Sequence, residues 1–170
     1  MVFNIISLVM SVMALAASTW GVSQQIRRAG ADSDLAMTTE VLLTHIRDPE
    51  FQKDQRWVLF ELTSQHSPDQ GIDLLPDEAK YRAWNVAFVF EAISIMMRFG
   101  IVNSEILISL SHHRLMRTWE VLEPYIQAER ARRGSVVFPF FEDAYATARR
   151  TDPEALHRRL GLKQADGRRR

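Results

Sequence analysis

The stretch PDEAKYRAWNVAFVFEAISIMMRFG, residues 76–100, decides the fold of this 170-residue chain. It opens with Pro76-Asp77-Glu78, a first-turn proline followed by two acids, which is typical of a helix N-terminus. From Trp84 to Met97 the stretch is apolar nearly all round, so we expect this helix to lie at the centre of a helical domain. Gly100 follows as the expected residue of the C-terminal cap. At this length the apolar part is too short for a membrane span, which takes about 20 residues.

Helix signals continue on both sides of this stretch, and we find no convincing strand pattern. Asp48-Pro49-Glu50 predicts the start of a helix that runs to about Ser64, and a loop follows at residues 65–75. Asn103 begins a further helix, which Pro124 should kink or split. The signals together predict an all-α bundle of about five or six helices over residues 27–150. A short helix that Asp152 caps and a basic, disordered tail follow over residues 151–170.

The N-terminal segment carries the clearest compositional signal. No charged side chain occurs in residues 1–26, and Arg27 and Arg28 follow at once. The segment is long enough to cross a hydrocarbon core of about 30 Å as a helix. Because the arginines lie on its C-terminal side only, the positive-inside rule places the rest of the chain in the cytoplasm. We therefore predict a single-pass anchor in the inner membrane at residues 1–26, with membrane lipid as a partner.

Two alternatives to an uncleaved anchor stay open for this segment. Ala14-Leu15-Ala16 resembles a signal-peptide cleavage site, and cleavage there would leave Ala17 as the N-terminus. Against cleavage, no basic residue precedes the apolar run, which continues past that site to Val22. The segment could also be a helix buried in a partner. The small residues at Ser7 and Ser11, continued by Ala14 and Ser18, are either simply tolerated in a single span, which we favour, or let two membrane helices approach closely.

Composition and charge exclude some classes of function. The chain has 21 basic and 21 acidic residues and no cysteine, which excludes disulfides, thiol catalysis and thiolate metal sites. All charge lies beyond residue 26, and the tail from Arg149 onward is basic, so the central body is mildly acidic and unlike a dedicated nucleic-acid binder. The basic tail either contacts anionic lipid headgroups or is simply solvated.

Glu91 is the strongest candidate for a functional residue. It lies on an apolar helix, so its carboxylate needs a partner or a proton. Arg82, Arg98 and Arg130 are the available cations, and Asn85 could share their network. We predict a structural polar network of Arg82, Asn85, Glu91 and Arg130 in which Glu91 pairs with an arginine. A catalytic Glu91 is the alternative, because perturbed carboxylates also occur in active sites.

No metal or cofactor site is predicted. His112 and His113 are adjacent on a helix and therefore point about 100° apart, which prevents them from binding one ion from one face. The chain has no P-loop, no dinucleotide fingerprint and no H-E-x-x-H motif. The apolar run of residues 136–141 either packs across the end of the bundle or forms a docking patch for a partner.

The stretch from Arg82 to Arg133 resembles the bacterial domain-of-unknown-function 4760 family. The elements that carry the resemblance are RAWN at 82–85, Glu91, GIVN at 100–103 and WEVLEPYIQAER at 119–130. Gly100, Trp119 and Pro124 are part of this family-like motif. The resemblance extends over about residues 5–148. It implies an all-helical, membrane-anchored domain and supplies no reaction.

These patterns favour a non-enzymatic, membrane-tethered interaction or accessory module. Its partner would be another protein or a second copy of the chain, and no nucleic acid is expected. The first alternative is a membrane-linked effector or sensor, in stress or phage response, that acts by oligomerisation. The second is an enzyme that uses Glu91. The sequence alone identifies neither an activity nor a partner.

Overall fold

Six α-helices and no strand occur in the part of the chain that the computed structural model describes, which is residues 40, 44 and 47–162. The all-α prediction is therefore confirmed for these residues. The predicted anchor at residues 1–26 and the last eight residues of the tail, 163–170, lie outside the described residues. The helices are α1 (Pro49–Phe60), α2 (Leu62–Gln65), α3 (Asp77–Arg98), α4 (Ser104–Arg133), α5 (Pro139–Arg150) and α6 (Pro153–Arg159), with a 3₁₀ turn at Pro68–Gln70.

None of the described helices combines the length and the apolar character that crossing a bilayer requires.

Side-chain caps begin three of the helices where the sequence predicts them. The Asp48 carboxylate accepts the backbone N–H of Phe51 at 3.2 Å and starts α1. The Asn103 side chain accepts the N–H of Ile106 at 3.1 Å and starts α4, and Asp152 caps α6 in the same manner. Each cap satisfies a backbone donor that the first helical turn leaves without an intrahelical partner.

The central helix α3 ends at Gly100 through two backbone hydrogen bonds. The N–H of Ile101 reaches the carbonyl of Met96 at 2.9 Å, and the N–H of Gly100 reaches that of Met97 at 3.2 Å. This is the Schellman arrangement, and it requires the left-handed backbone that Gly100 adopts at φ +68°. A side chain would meet no neighbour there, so the backbone conformation alone explains the glycine.

Pro124 does not split α4, so a kink at this residue is the form of the sequence prediction that stays a prediction. The helix runs unbroken for 30 residues with Pro124 inside it. Pro124 is exposed, so solvent can satisfy the carbonyl that loses its helical partner. Leu122, Tyr125 and Ile126 are buried on either side of it and keep both halves of the helix packed on the same core.

A column of aromatic rings joins α3, α4 and α5 in the core. The ring of Phe141 stacks on that of Phe90 with centroids 4.9 Å apart, and it meets Trp119 edge-on at 5.0 Å. Trp119 is 1% exposed, and its other neighbour is the ring of Tyr145. The helix α1 also packs on α3 and α4. One face of α3 is therefore covered by α1, α4 and α5, and the opposite face is its outer face.

Candidate interaction surface

The predicted network of Arg82, Asn85, Glu91 and Arg130 divides into two separate groups. Arg82 and Asn85 meet at Asp54 of α1, a carboxylate that is only 6% exposed. The Asn85 amide donates to Asp54 at 2.8 Å, and the Arg82 guanidinium lies 3.9 Å from the same carboxylate. This group fastens α1 to the first half of α3.

Glu91 acts as the N-terminal cap of α5. Its carboxylate accepts the backbone N–H of Phe141 at 2.7 Å and that of Phe140 at 3.4 Å. The residue at the cap position itself is Phe138, which has no acceptor on its side chain. Glu91 supplies the missing acceptor from the neighbouring helix, where a negative charge also favours the positive end of the helix dipole.

Within the described residues, Glu91 therefore pairs with none of the three arginines that the sequence offers, Arg82, Arg98 and Arg130. Arg82 binds Asp54 and Glu78 instead. Arg130 donates twice to the carbonyl of Val137, at 2.9 and 2.6 Å, and pairs with Glu142 of α5 at 2.7 Å. Glu91 and Arg130 thus hold the same segment, the one that leads into α5, without binding each other.

The segment held in this way carries a strained aromatic residue. Phe138 has a left-handed backbone, with φ at +56°, and it is the only residue other than glycine with a positive φ in the described part of the chain. This conformation costs about 1–2 kcal/mol for a residue with a side chain. In exchange the Phe138 ring is buried, 5.1 Å from Trp84 and 5.3 Å from Phe88. The segment packs on the bundle, while Val136 is 71% exposed at its edge.

A second carboxylate cluster, which the sequence analysis missed, joins the loop before α3 to the end of α4. Glu129 is completely buried, and its carboxylate accepts the backbone N–H of Asp73 at 3.0 Å. Arg132 and Arg133 bind both Glu129 and Asp73. Asp73 also accepts the indole N–H of Trp84 at 3.0 Å. Five polar side chains from three segments therefore satisfy one another.

Both carboxylates of this cluster are held in the ionised form. Burial alone would raise the pKa of Asp73, but hydrogen bonds from Arg133, Trp84 and Arg132 hold it below its usual value. Burial would likewise raise the pKa of Glu129, and the Asp73 N–H together with the two arginines lowers it by more. A carboxylate that stays ionised is a poor proton donor near pH 7. The cluster is suited to fastening the chain rather than to acid–base chemistry.

Gly71 allows the loop to approach α4 closely enough for this cluster to form. Its backbone is left-handed, with φ at +79°. A methyl group at this position would lie 2.6 Å from a carboxylate oxygen of Glu129 and 2.9 Å from the backbone nitrogen of the same residue. Both the backbone conformation and the lack of space therefore require glycine here.

The sequence contains a signal that would have found Glu129. The buried residues of α4 follow one another at intervals of four and three, which places them on one face of the helix. Continued along the chain, the same spacing reaches Glu129. No periodic pattern marks Asp73, because it lies in a loop. The residues on this face are Leu115, Trp119, Leu122, Ile126 and Glu129.

A cleft of about 490 Å³ lies between α1 and the start of α3. Its lining includes Trp57, and the Arg82 guanidinium lies 5.3 Å from the centre of that ring. Charges of both signs line the cleft, so it does not select an anion or a cation by charge. No three His, Asp or Glu side chains are placed to hold a metal ion within the described ranges. The charged lining residues are Lys53, Arg56, Glu61, Glu78 and Arg82.

The outer face of α3 carries a line of apolar side chains, which we call the α3 strip: Tyr81, Phe88, Ala92, Ile95 and Phe99. Tyr81 is 68% exposed, Phe88 58% and Phe99 70%. Ala92 is also exposed and Ile95 is half-buried. Single exposed apolar residues are ordinary, whereas several on one helix face make that face a candidate interaction surface.

In the residues that the structure describes, the helices form an all-α bundle with an exposed apolar face on α3. The chain belongs to the family described as domain of unknown function DUF4760, whose model matches residues 3–150. No curated protein matches the chain, and no solved structure matches it. The family match extends from the uncharged N-terminal segment to the end of α5.

Proposed function

We propose that this protein is a single-pass protein of the inner membrane whose helical domain lies in the cytoplasm and serves as a non-enzymatic interaction or accessory module. Membrane tethering is supported by the uncharged residues 1–26 and the arginines that follow them. The observation that carries the interaction role is the α3 strip. Three of its large apolar side chains are more than half exposed, and burying them against a partner would be favourable.

The polar clusters support this proposal through what they hold in place. Asp54 fixes α1 against α3, and Glu91 and Arg130 fix the segment that packs Phe138 against Phe88. Asp54, Asn85, Glu91 and Arg130 are thereby used within the fold. What the strip presents outward is an apolar surface on a firmly held helix, a combination that favours binding over chemistry.

Membrane tethering is tested by extracting membranes that contain the full chain with alkaline carbonate. We expect the full chain to stay in the membrane pellet and a chain that lacks residues 1–26 to be soluble and helical. Release of the full chain by carbonate, or a mature N-terminus at Ala17, would contradict an uncleaved anchor.

The interaction role is tested by a photo-cross-linking side chain placed at Phe88 in cells. The matched control carries the same probe at Gln127, an exposed polar position on α4. We expect a defined protein adduct from Phe88 and none from Gln127. Equal labelling at both positions, or none at Phe88, would refute the proposed docking surface.

Two other functions have less support. A membrane-linked effector or sensor that oligomerises would use the same strip, together with the small residues at Ser7, Ser11, Ala14 and Ser18. An enzyme that uses Glu91 is disfavoured because both oxygens of its carboxylate already accept backbone N–H groups.

A further inference from the structure

Several helices begin or end at one end of the bundle, which we call the α3–α4 end. The helix α3 ends there and α4 begins there. Ser104 and Thr147 line one cleft, which places the last turn of α5 at the same end. An ion pair of 3.3 Å between Arg159 and Glu105 places the end of α6 there as well. The α3–α4 end comprises residues 98–105 and 147–162.

Apolar side chains at the α3–α4 end reach into solvent from two elements. Phe99 and Ile101 lie in the turn between α3 and α4 and are 70% and 43% exposed. Leu160 and Leu162 follow α6 and are 38% and 54% exposed. An exposed arginine directly precedes Phe99, and another directly precedes Leu160. Exposed apolar side chains next to cations are typical of protein surfaces that lie in the headgroup layer of a bilayer.

Charge distinguishes this end from the opposite end of the bundle. The α3–α4 end holds three acidic residues and five arginines, which are Arg98, Arg149, Arg150, Arg158 and Arg159. Residues 163–170, which follow it in sequence, add four basic residues and one acid. The opposite end, residues 60–82 and 120–138, has five basic and eight acidic residues. An anionic surface would therefore attract the α3–α4 end and repel the opposite one.

We propose that the α3–α4 end of the domain lies against the anionic surface of the membrane, with its arginines at the lipid phosphates. Phe99, Ile101 and the two leucines that follow α6 would enter the headgroup layer. The proposal rests on the proposed function and deepens it by naming the surface that faces the lipid. The cytoplasmic surface of a membrane is negatively charged and attracts Lys and Arg side chains close to it. Arginine can keep its guanidinium at the phosphates while its stem lies on apolar groups.

The direction of α1 agrees with this orientation. The rings of Phe51 and Phe90 lie 6.1 Å apart, and six residues further along α1 the ring of Trp57 lies 5.3 Å from the Arg82 guanidinium. The two helices are therefore antiparallel, and α1 begins toward the α3–α4 end. Only residues 27–48 separate the predicted anchor from α1. A tether of this length keeps the local concentration of lipid high, so a small contact surface is enough.

This orientation leaves most of the α3 strip free for a protein partner. Phe99 is the member of the strip at the α3–α4 end. Tyr81 is 18 residues earlier on the same helix, about 27 Å away at 1.5 Å per residue. Phe88 lies between them, beyond the headgroup layer, where a cytoplasmic partner can reach it.

Quenching of a single fluorescent probe by labelled lipid tests the orientation. The chain has no cysteine, so one introduced cysteine carries one probe. Ile101→Cys and Leu162→Cys each place a bimane probe at the α3–α4 end, and the matched control Gln127→Cys places it at an exposed position of the opposite end. The full chain is reconstituted in nanodiscs of phosphatidylglycerol and phosphatidylcholine with a nitroxide on some headgroups. We expect quenching at residues 101 and 162 and none at residue 127.

Substitution of the arginines tests the role of charge. Arg98→Gln, Arg158→Gln and Arg159→Gln should each weaken the contact about threefold to fivefold, since each removes one charge close to the lipid. The control is Arg117→Gln, an exposed position in the middle of α4, which should leave the quenching at residue 101 unchanged. Nanodiscs of phosphatidylcholine alone, or about 0.5 M salt, should also reduce this quenching. Far-UV circular dichroism checks that each variant stays folded.

Three results with the chain retained in the nanodiscs would overturn the orientation and leave the proposed tethering intact. The first is equal quenching at residues 101 and 127. The second is no quenching at residues 101 and 162, as expected if a protein partner covers this end. The third is unchanged quenching at residue 101 when all three arginines are replaced. A chain that does not stay with the nanodiscs would instead overturn the tethering and the orientation together.

Discussion

Replacing Glu129 tests whether the buried carboxylate cluster holds the fold together. In Glu129→Ala the part-buried N–H of Asp73 loses its acceptor, which costs about 1–3 kcal/mol. The lost side-chain carbon in a fully buried position adds about 1 kcal/mol. Arg132 and Arg133 are more than a third exposed, so they can return to water and add little. We expect a total loss of about 2–4 kcal/mol.

The conservative variant and a surface control sharpen this test. Glu129→Gln keeps an oxygen for the Asp73 N–H and loses the charge, so it should cost about 1–2 kcal/mol. Glu120→Gln, on the same helix, removes an exposed ion pair with Arg117 at 3.4 Å and should cost about 0.5 kcal/mol or less. Urea unfolding of residues 27–170, followed by far-UV circular dichroism, measures all three. The reasoning is refuted if Glu129→Ala unfolds at the same urea concentration as Glu120→Gln.

The variants at Glu129 also test how the stability of the fold depends on pH. The pKa of Glu129 in the folded chain lies below its ordinary value of 4.5. At acidic pH the unfolded chain therefore binds more protons than the folded one. The contribution of Glu129 is complete above about pH 4.5 and is lost as the pH falls through the folded-state pKa. The difference between the parent and Glu129→Gln should accordingly shrink below pH 4.5. A difference that stays constant from pH 7 down to pH 3 would show that the charge is not the cause.

Two other substitutions test the loop and the cap. Gly71→Ala should cost about 2–4 kcal/mol, because it adds a collision with Glu129 to a strained backbone. Gly134→Ala, at a position with φ at +64° and open space, should cost only about 1 kcal/mol. Equal shifts in melting temperature would contradict the collision. Glu91→Ala should cost about 1–2 kcal/mol, the range for losing a helix cap, and Glu91→Gln less, as judged by thermal melting; a loss of activity with an unchanged melting temperature would instead favour a catalytic Glu91.

Features that depend on a few neighbouring residues were predictable from the sequence. Asp48, Asn103 and Asp152 each mark a helix start, because a cap needs only a side-chain oxygen and the next turn of backbone. Gly100 marks the end of α3 because a left-handed residue there is a local requirement. The helix continues through Pro124 because this proline is exposed while its neighbours are buried, and the local sequence does not state exposure.

The polar clusters form through contacts between distant segments, and reasoning from neighbouring residues does not reveal those contacts. Glu91 was singled out because apolar residues precede and follow it, yet neighbours in sequence point to different sides of a helix. The sequence-based argument did find a carboxylate that needs partners, but those partners are the backbone N–H groups of α5, about 50 residues away. A backbone donor of a helix not yet placed cannot be anticipated from residue types.

Glu129 presents the converse case. Its position is predictable, since it continues the buried face of Trp119, Leu122 and Ile126. Its partners are of two kinds: Arg132 and Arg133 lie one helical turn further on, while Asp73 lies 56 residues away in a loop. The near partners explain how a carboxylate is tolerated inside the core, and the distant one explains what it does there. By accepting the N–H of Asp73 it fixes the loop that leads into α3, and with it the start of the helix that carries the exposed strip. A carboxylate on the buried face of a helix, followed one turn later by two arginines, therefore predicts a polar cluster in the core. Its further partner should be sought in a loop that packs on that helix.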